Sequence, residues 1–505
     1  MKKTVTVALL SLCMLACNAE KRVEKFEPTW ESLAKVKPAK WWDEGKFGIF
    51  IHWGPYSVAG YKYNNIGYAE AITEHMYQSP EKYKSFFMEK FGAYPPEFGY
   101  KDWIPYYTAE NWNPEEWAKL FKKIGAKYVI LTAEHHDGFA NWDSKLTDWN
   151  SVKMGPKRDL VGDLGKAVRN EGLAYGLSYH RERHPSRFTG KFKAHNKPFP
   201  LIAEEIKREP KCEELYGPFS YSDEFIKDYV DRWKEINKLY KPDFMWIDDV
   251  PLFYKDPDDP QTKKFEEAFK YMIADYVNEA YEQGRDVYFN NKGKILNFPL
   301  GVGCAESDNM RQEKIFEYRW QNPATMGVSF AYMHNEEVND LYKSPAELVR
   351  LLVDVVSKNG NLLLNIGPRA DGTIPESMQK RLLAMGEWVN ANGDCIYGTK
   401  PWKVYGEYKG EIIKEDDVHY NKHSMRIHEK EYRYISKGNV VYVISFQKEN
   451  EPFILESFKE FENSIDKVTY MDNSPLSYKF TEQGLEISDE KSDFYLAKVY
   501  KVFFK

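Results

Sequence analysis

Hydrophobic residues between Trp41 and Trp402 fall into short continuous runs that alternate with longer stretches of helical spacing. The runs are rich in β-branched and aromatic residues, as strands are. Apolar strands separated by helices indicate a parallel sheet that is buried on both faces. We therefore predict an α/β fold, a (β/α)8-like barrel, over residues 37–400. The runs include 47–51, 128–131, 173–177 and 244–247, and the helical stretches include 114–124, 225–239 and 263–282.

The pattern changes after Trp402, where short strands alternate in polarity and are separated by turn residues. This spacing is typical of a small antiparallel β-domain. We predict a β-sandwich over residues 401–505. Its clearest strands are 432–435, 440–446, 467–470 and 494–504.

Composition narrows the class of protein. The chain has 505 residues, of which 42% are hydrophobic and 29% charged, so wholesale disorder is excluded. With 71 Lys and Arg against 77 Asp and Glu, the formal charge is −6, and no basic patch indicates a nucleic-acid partner. Aromatic residues make up 16% of the chain. Rings that stack on sugar faces are one use for them, although a large core takes most.

The N-terminus resembles an export signal. Lys2 and Lys3 precede an apolar run, 5–16, which is too short to span a membrane. The run ends at Ala16-Cys17, as in a bacterial lipoprotein signal. We expect a signal peptide over residues 1–17, a lipid on Cys17 as the sole membrane contact, a tether over 18–36, and a location in the periplasm or outer membrane of a Gram-negative bacterium.

Three cysteines remain beyond this signal, at positions 212, 304 and 395. They are too few for a disulfide framework, and their spacing is not that of a zinc site.

Polar residues directly follow four of the predicted strands. Catalytic groups in (β/α)8 barrels lie at the carboxyl ends of the strands, so these side chains are expected to converge at one mouth. Imidazoles, carboxylates and indoles together suit a polyhydroxylated substrate. The residues are His52-Trp53, His135-His136, Tyr179-His180 and Asp248-Asp249.

Four long motifs, in order, resemble those of the retaining α-L-fucosidase family. They are 46–58, 135–139 with Trp142, 355–368 with Asp371-Gly372, and 393–402. The resemblance covers the chain from about Trp41 to Trp402. It implies a (β/α)8-like barrel followed by a β-sandwich, and an exo-acting glycosidase that hydrolyses terminal α-L-fucosyl residues of glycans by double displacement. No organic cofactor and no metal are implied.

The resemblance also implies the catalytic pair. The family nucleophile follows a Trp-x-Asp pattern, which Trp246-Ile247-Asp248 matches, and side-chain alternation disfavours Asp249 in that role. The acid/base residue is best matched by Glu306, upstream of the family's Trp-Glu segment, which here is Trp320-Gln321. Two glutamates on the same stretch remain alternatives, Glu313 and Glu317.

Other positions are expected to bind the sugar. The resemblance places His52, His135, His136, Tyr179 and Trp246 in the sugar subsite, and we add Trp53 because its indole follows the first strand. Four further residues lie where the sequence departs from the family motifs. Glu70 survives without the tryptophan that follows it in the family, Lys292 replaces an arginine, Phe330 replaces the tryptophan of a Trp-Gly-Tyr motif, and Asp249 replaces glycine or an apolar residue.

These departures suggest another substrate. Fucose is 6-deoxy-L-galactose, and a carboxylate such as Asp249 beside its methyl group would be costly, by roughly 1–3 kcal/mol. An exo-α-L-galactosidase that acts on algal galactan oligosaccharides is therefore the alternative function.

Two other classes compete with a metal-free glycosidase. Histidines at 135, 136, 180 and 184 suggest a metal enzyme, but their spacing lacks the H-E-x-x-H arrangement. A non-catalytic carbohydrate-binding protein is disfavoured because both expected carboxylates are present.

Overall fold

A computed structural model describes residues 25–64, 67–190, 196–248, 260–292, 299, 301–309, 312–414, 427–447, 450–490 and 495–505. Within these ranges, no helix is both long and apolar enough to cross a membrane.

Eight parallel strands, β1 to β8, form a closed barrel in chain order, and β8 pairs with β1 to complete it. Ile49 shows the closure, since it pairs with Val129 on one side and with Leu364 on the other. The predicted barrel is confirmed. The strands are Phe47–Ile51, Tyr128–Glu134, Ala174–Tyr179, Phe244–Ile247, Tyr288–Asn291, Cys304–Glu306, Trp320–Thr325 and Gly360–Ile366.

Fifteen α-helices, α1 to α15, lie within the described part of the chain. In order they are Trp30–Leu33, Lys40–Gly45, Tyr56–Ala59, Ile72–Gln78, Pro80–Phe91, Pro114–Lys123, Leu160–Asn170, His184–Arg187, Pro200–Arg208, Glu213–Tyr216, Asp223–Tyr240, Pro260–Glu282, His334–Val338, Pro345–Ser357 and Glu376–Ala391. Short 3-10 helices lie at Ala69–Ala71, Tyr100–Tyr106, Arg181–Arg183, Pro210–Cys212, Gly393–Cys395 and Glu456–Ser464.

Local sequence explains where the helices begin. Asn113 caps α6, its side chain accepting the backbone N–H groups of Glu115 and Glu116, and Pro114 occupies the first turn, where no N–H is needed. Ser344 and Glu347 form a reciprocal capping box at the start of α14. These caps fix the helices that return the chain to the next barrel strand.

The C-terminal region forms two antiparallel sheets, of five strands (β13-β16-β11-β10-β9) and three (β12-β15-β14). Tyr434, Val443, Leu485 and Val502 belong to the apolar core that these sheets share. The prediction of antiparallel sheets after the barrel is confirmed. Strands β9 to β16 are Lys400–Lys414, Ile427–Lys437, Val440–Ser445, Phe453–Leu455, Ile465–Tyr470, Ser477–Thr481, Gly484–Ser488 and Lys498–Phe504.

A buried ion network joins the two regions. Asp354 of α14 accepts hydrogen bonds from Lys358 on the same helix, at 2.7 and 2.9 Å, and from Nε of Arg433 on β10, at 3.1 Å. All three side chains are nearly inaccessible to solvent. The C-terminal sheets are therefore tied to the helix that precedes barrel strand β8.

The tether expected over residues 18–36 is wrong from residue 25 onward. Phe26, Leu33 and Val36 are buried, and the backbone N–H of Phe26 donates to Asn278 on α12 at 2.8 Å. The polar composition of this stretch conceals three apolar anchors spaced along it. The proposed signal, Cys17 and residues 18–24 lie outside the described part of the chain.

Candidate active site

A pocket of about 460 Å³ opens at the carboxyl ends of the barrel strands. Most of the side chains that the sequence predicted for the site line it. They are His52, Glu70, His135, His136, Trp246, Asp248, Lys292, Glu306 and Phe330. The rival glutamates, Glu313 and Glu317, are exposed and do not line the pocket.

Asp248 directly follows β4, and a neighbouring amide holds that strand end. Backbone pairing between β4 and β5 includes Phe244 and Met245. Beyond it, the Asn290 side chain accepts the N–H of Ile247 at 2.7 Å and donates to its carbonyl at 2.8 Å. The strand end thus keeps its hydrogen bonds while the next residue, Asp248, enters the pocket.

Three groups surround the Asp248 carboxylate. The Lys292 ammonium lies 2.9 Å from Oδ1, and the imidazoles of His136 and His180 lie 2.9 and 3.4 Å from Oδ2. Burial would raise the pKa of Asp248, but the Lys292 charge and the two imidazoles outweigh it and hold that pKa well below its usual range. Asp248 is therefore kept ionised.

The surroundings of Glu306 favour its protonated form, in contrast to those of Asp248. Its Oε1 accepts hydrogen bonds from Trp246 Nε1 and Gln321 Nε2, both at 2.9 Å, while Oε2 is buried without a hydrogen-bond partner among the described residues. Burial, reinforced by the negative charge of Asp308, raises the pKa of Glu306 well above its usual range. Two carboxyl groups of one pocket thus have pKa values that their surroundings push apart, as acid and nucleophile require.

Gln321 explains how Glu306 is oriented. Its Oε1 accepts from Trp42 Nε1 at 3.0 Å and from the Tyr128 hydroxyl at 2.7 Å, so its NH₂ group must face Glu306. Glu306 and Gln321 are also paired in register on β6 and β7. An amide at this position therefore donates to the acid, where a second carboxylate would repel it.

The histidines present both donors and acceptors to the pocket. Asn365 donates its NH₂ to the Phe330 carbonyl, so its oxygen accepts from His52 Nδ1 at 2.7 Å, which leaves His52 Nε2 as an acceptor. Arg187 donates to His135 Nδ1 at 3.5 Å, so the hydrogen of His135 is on Nε2. Burial lowers the pKa of His52 to about 3, so its ring is neutral. An acceptor and a donor of this kind suit sugar hydroxyls.

Aromatic rings form one wall of the pocket. The His52 ring lies 4.4 Å from Phe50 and 4.9 Å from Phe330, and Phe50 lies 5.0 Å from Trp246, measured between ring centroids. Glu70 supports this wall, since its Oε2 accepts the backbone N–H of Ala331 at 3.1 Å. The wall offers an apolar surface beside the ionic groups.

Three predicted residues are not brought into the pocket by the described structure. Tyr179 is wrong as a sugar ligand, because its ring stacks on Tyr229 outside the barrel and its hydroxyl donates to the Tyr229 carbonyl at 3.0 Å. Trp53 is wrong too, because it is fully buried in an aromatic cluster and donates to the Arg369 carbonyl at 2.8 Å. Asp249 lies outside the described residues.

Sequence reasoning assigned no site role to several residues that line the pocket, Asp308 among them, and it named His180 only as a polar residue that follows a strand. Side chains alternate along a strand, so Ser178 and His180 face the interior when Tyr179 faces outward. The same parity places Asp308 on the side of Glu306. Alternation from a correctly assigned neighbour was the signal that could have found both.

Among the residues that the structure describes, two groups of side chains have donor atoms close enough to hold a metal ion. They are His52, His135 and His180, and His136, His180 and Asp248, each with donor atoms within 4.8 Å of one another. Lys292 lies 2.9 Å from Asp248, so a cation in the second group would meet a fixed positive charge. In the first group, the lone pair of His135 Nδ1 already faces Arg187, and the Lys292 charge opposes further positive charge at His52, so neither group is well suited to a cation.

A (β/α)8 barrel whose mouth holds one ionised and one protonated carboxyl group, beside aromatic rings and imidazoles, defines a glycoside hydrolase. Comparison with known proteins supports this assignment to the glycoside hydrolases. The model of the α-L-fucosidase family matches residues 13–394. The chain belongs to the α-L-fucosidase family.

Individual relatives show how far the likeness extends. Tissue α-L-fucosidase of Rattus norvegicus is 34% identical over 414 residues, covering 80% of this chain and 79% of the rat protein. An α-L-fucosidase of Dictyostelium discoideum is 33% identical over 387 residues, covering 75% of this chain and 76% of that protein. The crystal structure of Thermotoga maritima α-fucosidase with a mechanism-based inhibitor is 33% identical in sequence, covers 95% of this chain and 100% of that one, and superposes with a TM-score of 0.74.

Proposed function

We propose that the protein hydrolyses terminal α-L-fucosyl residues of glycans and retains the configuration of the anomeric carbon. The observation that carries this proposal is the pair of carboxyl groups in one pocket, Asp248 held ionised by Lys292 and Glu306 held protonated by burial. Retaining glycosidases use such a pair, one group as nucleophile and the other as acid and then base.

The reaction proceeds in two displacements. Asp248 attacks the anomeric carbon while Glu306 transfers its proton to the glycosidic oxygen, which leaves with the bonding electrons. In the covalent intermediate Asp248 is an ester and Glu306 is ionised. Glu306 then takes a proton from water, the water oxygen bonds to the anomeric carbon, and the bonding electrons return to the Asp248 carboxylate.

The lining of the pocket supports a fucosyl group. His52 and His135 offer an acceptor and a donor for ring hydroxyls, and the wall formed by Phe50, Trp246 and Phe330 offers an apolar surface for the C6 methyl group. The case for an α-L-galactoside depended on Asp249, which the structure does not describe. Fucosides are therefore the substrates that we test first.

The experiment compares aryl α-L-fucoside with aryl α-L-galactoside, using the wild type and Asp248→Ala. We expect faster fucoside turnover, with at least about a thousandfold loss in Asp248→Ala, and NMR should show α-L-fucose as the first product. The β-anomer as first product would overturn the retaining mechanism, and faster galactoside turnover would favour the alternative substrate. Full activity in Asp248→Ala would remove the proposed nucleophile.

A second variant tests the acid. Glu306→Gln cannot protonate a leaving group, so poor leaving groups should lose far more activity than activated aryl groups, which need little protonation. Equal losses on both would refute the assignment of Glu306.

We also propose export with lipid attachment at Cys17. The charged start, the short apolar run and Ala16-Cys17 support it. Expression of the full chain in a Gram-negative host should place it in the membrane fraction with incorporated fatty acid, and Cys17→Ala should abolish the label. A cytoplasmic, unlabelled wild-type chain would refute the proposal.

A further inference from the structure

One ammonium group lies between two carboxylates in the pocket. Lys292 directly follows β5, and its Nζ lies 2.9 Å from Asp248 Oδ1 and also contacts Asp308 Oδ2. Asp308 lies two residues beyond Glu306, and its Oδ1 is buried without a hydrogen-bond partner among the described residues. Because both carboxylate oxygens touch the same nitrogen, they lie within about 6 Å of each other.

The charges of this trio change during the proposed reaction. Asp248 loses its negative charge when it becomes an ester, so it no longer neutralises Lys292. A buried cation without a counter-charge is unfavourable. Asp308 is the carboxylate that still contacts Lys292 at that stage, which keeps the ammonium neutralised in the covalent intermediate.

Asp308 also acts on the acid. Its negative charge disfavours a second negative charge on Glu306, and this is the largest influence on that residue after burial. Before the first displacement, Asp308 therefore favours the protonated form of Glu306. After it, the same charge makes the Glu306 carboxylate a stronger base toward water.

We propose that Asp308 is a positioning residue for this hydrolysis: its carboxylate holds the Lys292 ammonium while Asp248 is an ester, and its charge favours the protonated form of Glu306. This inference rests on the proposed function. It assigns to one side chain a part in both displacements without contact with the reacting atoms.

Several other charged and titratable groups face these two carboxyl groups. Burial raises the pKa of Asp308, and the Lys292 charge opposes that rise. These charged and titratable groups lie on β2 and β6, directly after β3, β4 and β5, and in the segment before α4. They are Tyr128, Cys304, His180, Asp248, Lys292 and Tyr68.

The test is the pH dependence of kcat/KM for an aryl α-L-fucoside with Asp308→Asn. Removing the charge should lower the pKa of Glu306, so the alkaline limb should move to lower pH by roughly one unit or more. The acid limb reports the ionisation of Asp248. It should not move to higher pH, because Lys292 still contacts that carboxylate. A weaker base should also slow hydrolysis of the intermediate, so a burst of aryl alcohol should precede the steady state.

Two variants control this result. Asp308→Glu keeps the charge and should keep the alkaline limb in place. Asp163→Asn removes a carboxylate of α7 from another ion pair, in which it lies 2.8 Å from Arg158, and should change neither limb. If Asp308→Asn does not fold, Asp308→Ser replaces it with the same expectations.

The outcomes separate the two proposals. An acid limb that rises while the alkaline limb stays would mean that Asp308 only fixes the position of Lys292, and it would overturn the inference. Equal loss at every pH, with no burst, would overturn it too. An inactive wild type, or an active Asp248→Ala measured beside it, would instead overturn the proposed function.

Discussion

Replacement of Lys292 by methionine tests how the nucleophile is kept ionised. The ammonium lies 2.9 Å from Asp248 Oδ1, and both side chains are largely buried, with exposures of 16% and 20%. An opposite charge this close typically lowers a carboxyl pKa by about 1–3 units. Without it, burial and the charge of Asp308 raise the pKa of Asp248, and the imidazoles of His136 and His180 oppose them. We expect the acid limb of kcat/KM to move upward by at least roughly 1–3 units, which corresponds to about 1.4–4 kcal/mol.

Replacement of Lys292 by methionine should also change how the stability of the protein depends on pH. In the wild type, the depressed pKa of Asp248 contributes stability above about pH 4, and this is lost as the pH falls through the folded pKa. The raised pKa of Lys292 contributes stability that is fully present below about pH 10 and is lost as the pH rises through the folded pKa, so it is constant between pH 5 and 8. In Lys292→Met the Asp248 carboxylate is buried without its cation, which costs about 3 kcal/mol near neutrality. Because its raised pKa lets Asp248 take up a proton in the variant, the difference in stability between the wild type and Lys292→Met should be smaller at pH 5 than at pH 8.

The assays are kcat/KM between pH 4 and 9 on an aryl α-L-fucoside, and thermal unfolding at pH 5, 6.5 and 8. Lys292→Arg keeps the charge and should keep the acid limb within about half a unit. Lys292→Met with Asp248→Asn removes both charges and should recover part of the lost stability. An acid limb in Lys292→Met that coincides with that of the wild type would refute the reasoning.

Three further variants test the assigned contacts. Tyr179→Phe should lose about 1 kcal/mol of stability, from the hydrogen bond to Tyr229, with KM unchanged; a severalfold rise in KM would restore Tyr179 as a ligand. Phe330→Ala removes part of the aromatic wall and should lower kcat/KM for the fucoside about tenfold or more, with a smaller loss for the galactoside; equal losses would separate Phe330 from the methyl group. Arg433→Met should destabilise the protein by about 3 kcal/mol in urea unfolding with kcat retained, and an unchanged transition would show that the contact with Asp354 contributes little.

The sequence predicted the barrel because its long strands are continuous apolar runs. The runs 47–51 and 244–247 agree with the observed strands residue for residue. Strands β5, β6 and β7 were not predicted individually, because each is short or carries polar residues such as Asn290 and Gln321. Those side chains are buried and hydrogen-bonded to other elements, Gln321 to Trp42 of α2 and Asn290 to Ile247 of β4, and such pairing cannot be recognised in a single sequence.

The candidate site was predicted best where a residue's strand parity was considered. Side-chain alternation favours Asp248 over Asp249, and Asp248 does line the pocket. The same rule separates Tyr179 from its neighbour His180, and it is His180 that lines the pocket. Trp53 could not have been placed by parity, because it lies beyond β1, in a segment whose direction is set by packing against other tryptophans.

The register of β6 and β7 has an evolutionary consequence. Glu306 and Gln321 are adjacent, and the amide donates to the carboxyl oxygen at 2.9 Å. Gln321→Glu alone would bury two carboxyl groups in contact, whereas Glu306→Gln alone would remove the acid. Each residue therefore limits which substitutions the other accepts, so the pair is expected to show strong epistasis. A descendant of this chain could exchange the two side chains only through an intermediate that is less stable or less active.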